Sequence, residues 1–169
     1  MSIKILYVCT YWGVRSQIAK LLTDALAVPN LDVDSTGFEA GAIGGLPRQI
    51  MMERGLDLSV ESPETLFKFS RKKTEYDYVI TLCNQYSQEN YEILFNVVDM
   101  LFKGPAQVIH WNIPDFMSIT AEGDERKAAA EAIVRDIEIQ IEEFVGNLNA
   151  TGSENSRASA ASLTSSSAK

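Results

Sequence analysis

The chain of 169 residues has two cysteines, Cys9 and Cys83, and a single histidine, His110. That scarcity excludes a disulfide scaffold and a multi-cysteine zinc site, and leaves little metal-ligating chemistry. In a reducing compartment a thiol is either an inert buried hydrophobe or a reactive group, and its surroundings decide which. Positive charge is also short: 15 Lys and Arg stand against 23 Asp and Glu, a net charge of −8. A chain of that sign does not draw affinity from neutralising nucleic-acid phosphates, so an anionic substrate needs a local positive site. Long apolar runs are missing. The longest, Tyr91–Phe102, is broken by Asn96 and Asp99 and stops well short of the ~18 residues a membrane span needs. The opening MSIKILYVC has no small-residue cleavage site, so it does not read as a signal peptide. The expectation is a cytoplasmic protein with neither membrane nor nucleic acid as a partner.

What is present is an ordinary globular composition, 46% hydrophobic and 22% charged, which fits neither a fibre nor a disordered chain. One domain is expected over residues 1–150, long enough to bury a self-supporting core. From Thr151 to Lys169 the composition narrows to mostly Ser, Ala and Thr with one Leu. Such a segment buries too little apolar surface to offset its ordering entropy, and 151–169 is expected as a disordered tail.

Within the domain, strand-like and helix-like patterns alternate. Ile3–Val8, Leu31–Thr36, Asp77–Leu82 and Ala106–Trp111 read as strands. Between the first two, Ile18, Leu21, Leu22 and Ala25 recur at helical spacing. Pro47 opens a helix that stops at Gly55, and Ser87 is a candidate N-cap for the apolar stretch ending at Gly104-Pro105. The last helix carries Ile133, Ile137, Ile141, Phe144 and Leu148 on one face. Its other face is solvated and acidic, with eight acids and three bases between Ala121 and Glu143. The fold class is therefore α/β, a single-domain three-layer sandwich with a parallel sheet of these strands and helices on both faces. Ligands of such sheets bind beyond the carboxyl ends of the strands at a topological switch point. Cys9 falls at such an end.

The segment Cys9-Thr10-Tyr11-Trp12-Gly13-Val14-Arg15-Ser16 places a thiol after the first strand, an arginine six positions later and a helix just beyond. A loop closing onto a helix N-terminus turns successive backbone N–H groups into one concavity, a nest suited to a tetrahedral oxyanion. Thr10 to Ser16 are the candidate oxyanion-binding residues. Arg15 adds a bidentate fork. The same donors are expected to lower the pKa of Cys9 and make it a nucleophilic thiolate, with Ser16 donating a hydrogen bond to the sulfur when it leaves.

ILYVCTYWGVRS resembles the phosphate-binding loop of the low-molecular-weight protein-tyrosine phosphatases and of their relatives, the thiol-dependent arsenate reductases. STGFEA (35–40) is similar to the family's Ser-Ala-Gly segment, and GGLPRQIMMERGLDLS (44–59) to the helix and turn that follow it. DYVITLC (77–83) resembles the strand that ends in the arsenate reductases' second cysteine, and HWNIPDF (110–116) their His-Trp segment leading to an Asp-Pro. The resemblance covers most of residues 3–148 and implies the phosphatase-like four-stranded sheet, Cys9 as nucleophile, Arg15 as oxyanion clamp and Asp115 as general acid. A carboxylic acid reaching over from another strand end is what a departing oxygen needs. Three departures stand out. Tyr11-Trp12 replace a Gly-Asn pair, with Gly13 supplying the positive φ one position later. Phe116 replaces a Pro, which loosens the presentation of Asp115. No third cysteine follows Cys83.

Both activities of that family begin with the same thiolate on a tetrahedral oxyanion and part at the adduct. A reductase needs a second thiol to attack Cys9 and expel arsenite, and Cys83 ends the third strand on the same carboxyl edge. The favoured expectation is an arsenate reductase with Cys83 as resolving thiol. No cofactor is bound, and the disulfide is returned by glutathione with glutaredoxin, or by thioredoxin. The alternatives are a protein-tyrosine phosphatase, with Tyr11 and Trp12 against the ring of a phosphotyrosine protein, and a non-catalytic oxyanion-binding module.

Overall fold

The computed structural model describes residues 1–11, 14–39, 43–58, 64–84 and 91–164, with backbone alone at Tyr11 and beyond 152. Its sheet has four strands, β1 (Ile3–Tyr11), β2 (Leu31–Glu39), β3 (Tyr78–Cys83) and β4 (Gln107–Asn112), in the order β2-β1-β3-β4. Every pairing is parallel. The α/β sandwich expected from the alternating pattern is therefore the fold observed. Chain direction along the sheet reverses between β1 and β3, so the crevice at their carboxyl ends is the topological switch point.

Alternation along the strands divides the core in two. Ile5, Tyr7 and Cys9 of β1, with Ile80 and Leu82 of β3, face α1 (Val14–Ala25), α2 (Gly45–Glu53) and α5 (Gly123–Thr164). Leu6 and Val8 of β1, with Val79 and Cys83 of β3, face α3 (Leu66–Ser70) and α4 (Tyr91–Leu101). Helix α5 lays Ile133, Val134, Ile137 and Ile141 against the first face, all 5% exposed or less, and Phe144 and Leu148 continue the stripe.

Several boundaries differ from the pattern reading. Strand β1 runs through Cys9 to Tyr11 because β2 continues past Gly37 to Glu39 and pairs with it, Cys9 opposite Gly37 and Tyr11 opposite Glu39. In α2, Pro47 sits inside the first turn, where its missing N–H costs nothing. Arg54 caps the end and Gly55 follows at φ +77°, the left-handed turn that glycine takes without a Cβ penalty. The five-residue α3 has no counterpart in the sequence reading. The Ser87 cap lies outside the described residues. Helix α5 keeps its backbone helical to Thr164, beyond the boundary at residue 150. The docking stripe ends at Leu148.

Candidate active site

At the carboxyl end of β1, Cys9 is fully buried, as are Thr10 (3% exposed), Arg15 (2%) and Ser16 (0%). Helix α1 starts at Val14, so Arg15 and Ser16 lie in its first turn, over the strand end. Cys9 Sγ is 3.5 Å from Ser16 Oγ, and Ser16 Oγ donates to the carbonyl of Thr36 at 2.9 Å. The hydroxyl has one hydrogen. While it is given to Thr36 the oxygen accepts from the thiol, and serving a thiolate requires that hydrogen to turn from Thr36 to Cys9.

Arg15 is held from three sides. Nη1 donates to the carbonyl of Ile113 at 2.8 Å, and Nη2 donates to Thr10 Oγ1 at 2.7 Å and to Asp115 Oδ2 at 3.3 Å. Thr10, read from sequence as an oxyanion ligand, thus holds the arginine. The sheet brings these partners together: Ile113 continues from β4, and its N–H donates to the carbonyl of Cys83 at 3.3 Å. Asp115 is fixed more firmly than the Phe116 departure implies. Its Oδ1 accepts from the N–H of Met117 at 3.0 Å and caps a single 3-10 turn, Phe116–Ser118. Such a side-chain to backbone bond does the pinning expected of a proline ring.

Burial pushes the Cys9 thiol up from its ordinary value and Asp115 adds to the rise, against the lowering by the Arg15 guanidinium and the hydroxyl and N–H of Ser16. That direction is opposite to the lowering expected from the loop's donors. Removing the sulfur from water disfavours its charged form more than the nearby donors favour it.

The second cysteine is close along the edge but not across it. Cys9 pairs in register with Leu82, and Cys83 is the next residue, so it points to the opposite face of the sheet, under α4. The two thiols are not bonded to one another. Trp12 and Gly13 of the loop, and the side chain of Tyr11, lie outside the described residues. Val14 lines a cavity of about 300 Å³ beside Arg15 and Asp115. Among the described residues no His, Cys, Asp and Glu set converges on a metal position.

The sequence profile of the low molecular weight phosphotyrosine protein phosphatases matches residues 4–154. The chain belongs to that family. It is a family of enzymes, and its similar proteins divide between two activities. Over 80 residues the chain is 30% identical to the glutaredoxin arsenate reductase of Synechocystis sp., a match covering 47% of this chain and 60% of that relative. The chain thus spans less than two thirds of that relative's length. Among solved structures, the arsenate reductase of Archaeoglobus fulgidus superposes with a TM-score of 0.63 at 21% identity, covering 84% of this chain and 98% of that one. The Erwinia amylovora tyrosine phosphatase gives 0.62 at 19%, covering 87% and 93%. At these identities the superpositions establish the fold, and reductase and phosphatase fit it equally. No helix among the described residues is long and apolar enough to cross a membrane.

Sequence reasoning missed Thr36, whose carbonyl orients Ser16 and whose hydroxyl donates to the carbonyl of Glu64. It also missed the Ile113 carbonyl that anchors Arg15. Main-chain acceptors carry no residue-type signal, so only the register of the strands reveals them.

Proposed function

We propose that the chain is an arsenate reductase working through Cys9. The observation that carries the reading is the convergence of thiol, buried guanidinium and carboxylate at the β1 edge, with a second thiol on the last residue of the neighbouring strand. A dianionic arsenate brings a basic oxygen that takes up the Cys9 proton, which suits a thiol that burial pushes up. Sγ then attacks arsenic: an S–As bond forms, one As–O bond breaks and the oxygen leaves as water. Arg15 holds the remaining oxygens, and Asp115 is the acid for the departing one. In the second step a thiol attacks Cys9 Sγ. An S–S bond forms, the S–As electron pair stays with arsenic, and As(V) leaves as As(III) arsenite while two thiols become a disulfide.

Cys83 is the resolving thiol of this scheme. Two cysteines whose Cβ vectors point apart join only with backbone movement, so the end of β3 must turn to bring Cys83 to the Cys9 face. Glutathione with glutaredoxin, or thioredoxin, then reduces the pair; the glutaredoxin in the Synechocystis relative's name supports such a partner. The test is arsenate reduction with each reductant, alongside aryl phosphate hydrolysis, in wild type and Cys83→Ser. Loss of arsenite with hydrolysis retained is the expected outcome; unchanged arsenite removes Cys83 from the scheme.

The placement of Cys83 on the far face favours a second reading, a protein-tyrosine phosphatase in which water resolves a phosphocysteine. It predicts vanadate-inhibited turnover that needs Cys9 and ignores Cys83, with no arsenite formed.

A further inference from the structure

Thr36 joins the two faces of the sheet at the Cys9 edge. In register it stands opposite Val8, one residue before the Cys9–Gly37 pair, so its side chain shares the α3 face with Val8 while Cys9 lies on the other. Two hydrogen bonds meet at this fully buried residue. Its carbonyl accepts the Ser16 hydroxyl at 2.9 Å, and its own hydroxyl donates to the carbonyl of Glu64. The next residue, Gly37, bridges to Thr65, whose carbonyl accepts from the N–H of Phe69 in α3. Consecutive residues at the end of β2 are therefore stitched to the entry of α3, and the acceptor that faces Ser16 belongs to that stitch. Ser16 Oγ has two claimants for its one hydrogen, the Thr36 carbonyl at 2.9 Å and Cys9 Sγ at 3.5 Å. A carbonyl held at the shorter distance keeps the hydrogen, and the hydroxyl oxygen then accepts from the thiol. Charge on the sulfur reverses the preference, because a hydrogen bond to an ionised acceptor is roughly twice as strong as a neutral one.

We propose that Thr36 is a positioning residue for the nucleophile: anchored to Glu64 on the far face of the sheet, its carbonyl holds the Ser16 hydrogen off Cys9 until the sulfur is ionised. Thr36 acts through Ser16 and not on the reacting sulfur. Its catalytic meaning rests on the reading of Cys9 as nucleophile, which it deepens by naming a second resistance to the thiolate beside burial. The charged groups that act on Cys9 are Arg15 and Asp115, and they are bonded to each other, to Thr10 and to the main chain of Ile113 and Met117, apart from the Thr36 stitch. The Thr36 hydroxyl is what ties the carbonyl's own residue to Glu64. Without it the end of β2 keeps the Gly37 bridge alone, and the hold on the Ser16 hydrogen loosens.

Two readouts on the full chain, both in a Cys83→Ser background, test this role. The first needs no substitution at Thr36. With a carbon-13 label at the Thr36 carbonyl, NMR across pH is expected to show that carbon shifting at the alkylation midpoint of Cys9, as the hydrogen turns from oxygen to sulfur, and no such step in Ser16→Ala. The second uses Thr36→Val, which removes the hydroxyl and keeps the branched shape. Its Cys9 midpoint is expected to fall by about half a pH unit or more, the sign opposite to that of Ser16→Ala. Thr36→Ser restores the native midpoint, and Thr36→Val has no effect in a Ser16→Ala chain. A Thr36 carbon indifferent to the titration of Cys9, or an equal step in Ser16→Ala, overturns the proposal. So does a midpoint shift in Thr36→Val that persists without the Ser16 hydroxyl, since it would report altered burial of the sulfur. Protection of Cys9 from alkylation by arsenate, without the Thr36 response, removes the positioning role and leaves the oxyanion reading. The Thr36 response without protection removes the oxyanion reading and, with it, the catalytic meaning of the hold.

Discussion

Arg15 Nη2 lies 3.3 Å from Asp115 Oδ2, a pair closed across 100 residues of chain. The guanidinium that must hold an incoming anion is thus already engaged by Asp115, the side chain whose protonated form must serve the departing oxygen. Anion and Asp115 compete for one fork, and their like charges repel in a site shielded from water.

That competition sets opposite signs for two measurements on Asp115→Asn. Aryl phosphate turnover should fall by about 10²-fold or more, the usual contribution of a positioned general acid. Phosphate affinity, read by calorimetry, should rise several-fold, because a charge facing the anion has gone. Loss of both turnover and binding would show that Asp115 only props up Arg15.

Ser16→Ala isolates the hydroxyl between Cys9 and Thr36. Its bond to the sulfur lowers a thiol that burial raises, so its removal should move the alkylation midpoint of Cys9 further up. Iodoacetamide labelling across pH in a Cys83→Ser background reads this directly. A midpoint that stays put or falls contradicts the geometry. The raised thiol also has a stability consequence. A folded pKa above the unfolded one gives stability that is fully present below the unfolded value, near ~8.5, and is lost as pH rises through the folded value. Chemical denaturation should therefore show the protein weakening above about pH 8.5 relative to Cys9→Ala, after each is normalised to neutral pH.

Ile137→Ala tests the packing that seats α5 on the sheet. Ile137 is fully buried among Ile133, Val134 and Ile141, and a cavity there should cost about 2–5 kcal/mol. The urea midpoint should drop at unchanged slope. A loss below ~1 kcal/mol would mean that the helix repacks around the gap.

Most of the fold was legible because it rests on periodicities. β-branched runs mark the strands, and the Ile133 to Leu148 stripe marks α5, with Cys9, Arg15, Asp115 and Cys83 all falling at the expected sheet edge. Features that depend on three-dimensional register were not legible. Alternation along β3 puts Cys83 one residue out of phase with Leu82, the partner of Cys9, which decides the face of each thiol. The upward push of burial on the Cys9 thiol was not legible either, because a loop motif displays its donors and not the depth of its burial. The α3 turn is too short for a periodic pattern; only the Leu66 and Phe69 spacing hinted at it.

The most direct test of the central claim is protection of Cys9 from alkylation by arsenate, measured by mass spectrometry in Cys83→Ser and in Cys83→Ser with Arg15→Ala. The account predicts saturable protection in the first protein and none in the second. Identical alkylation rates with and without arsenate in the first protein would contradict it.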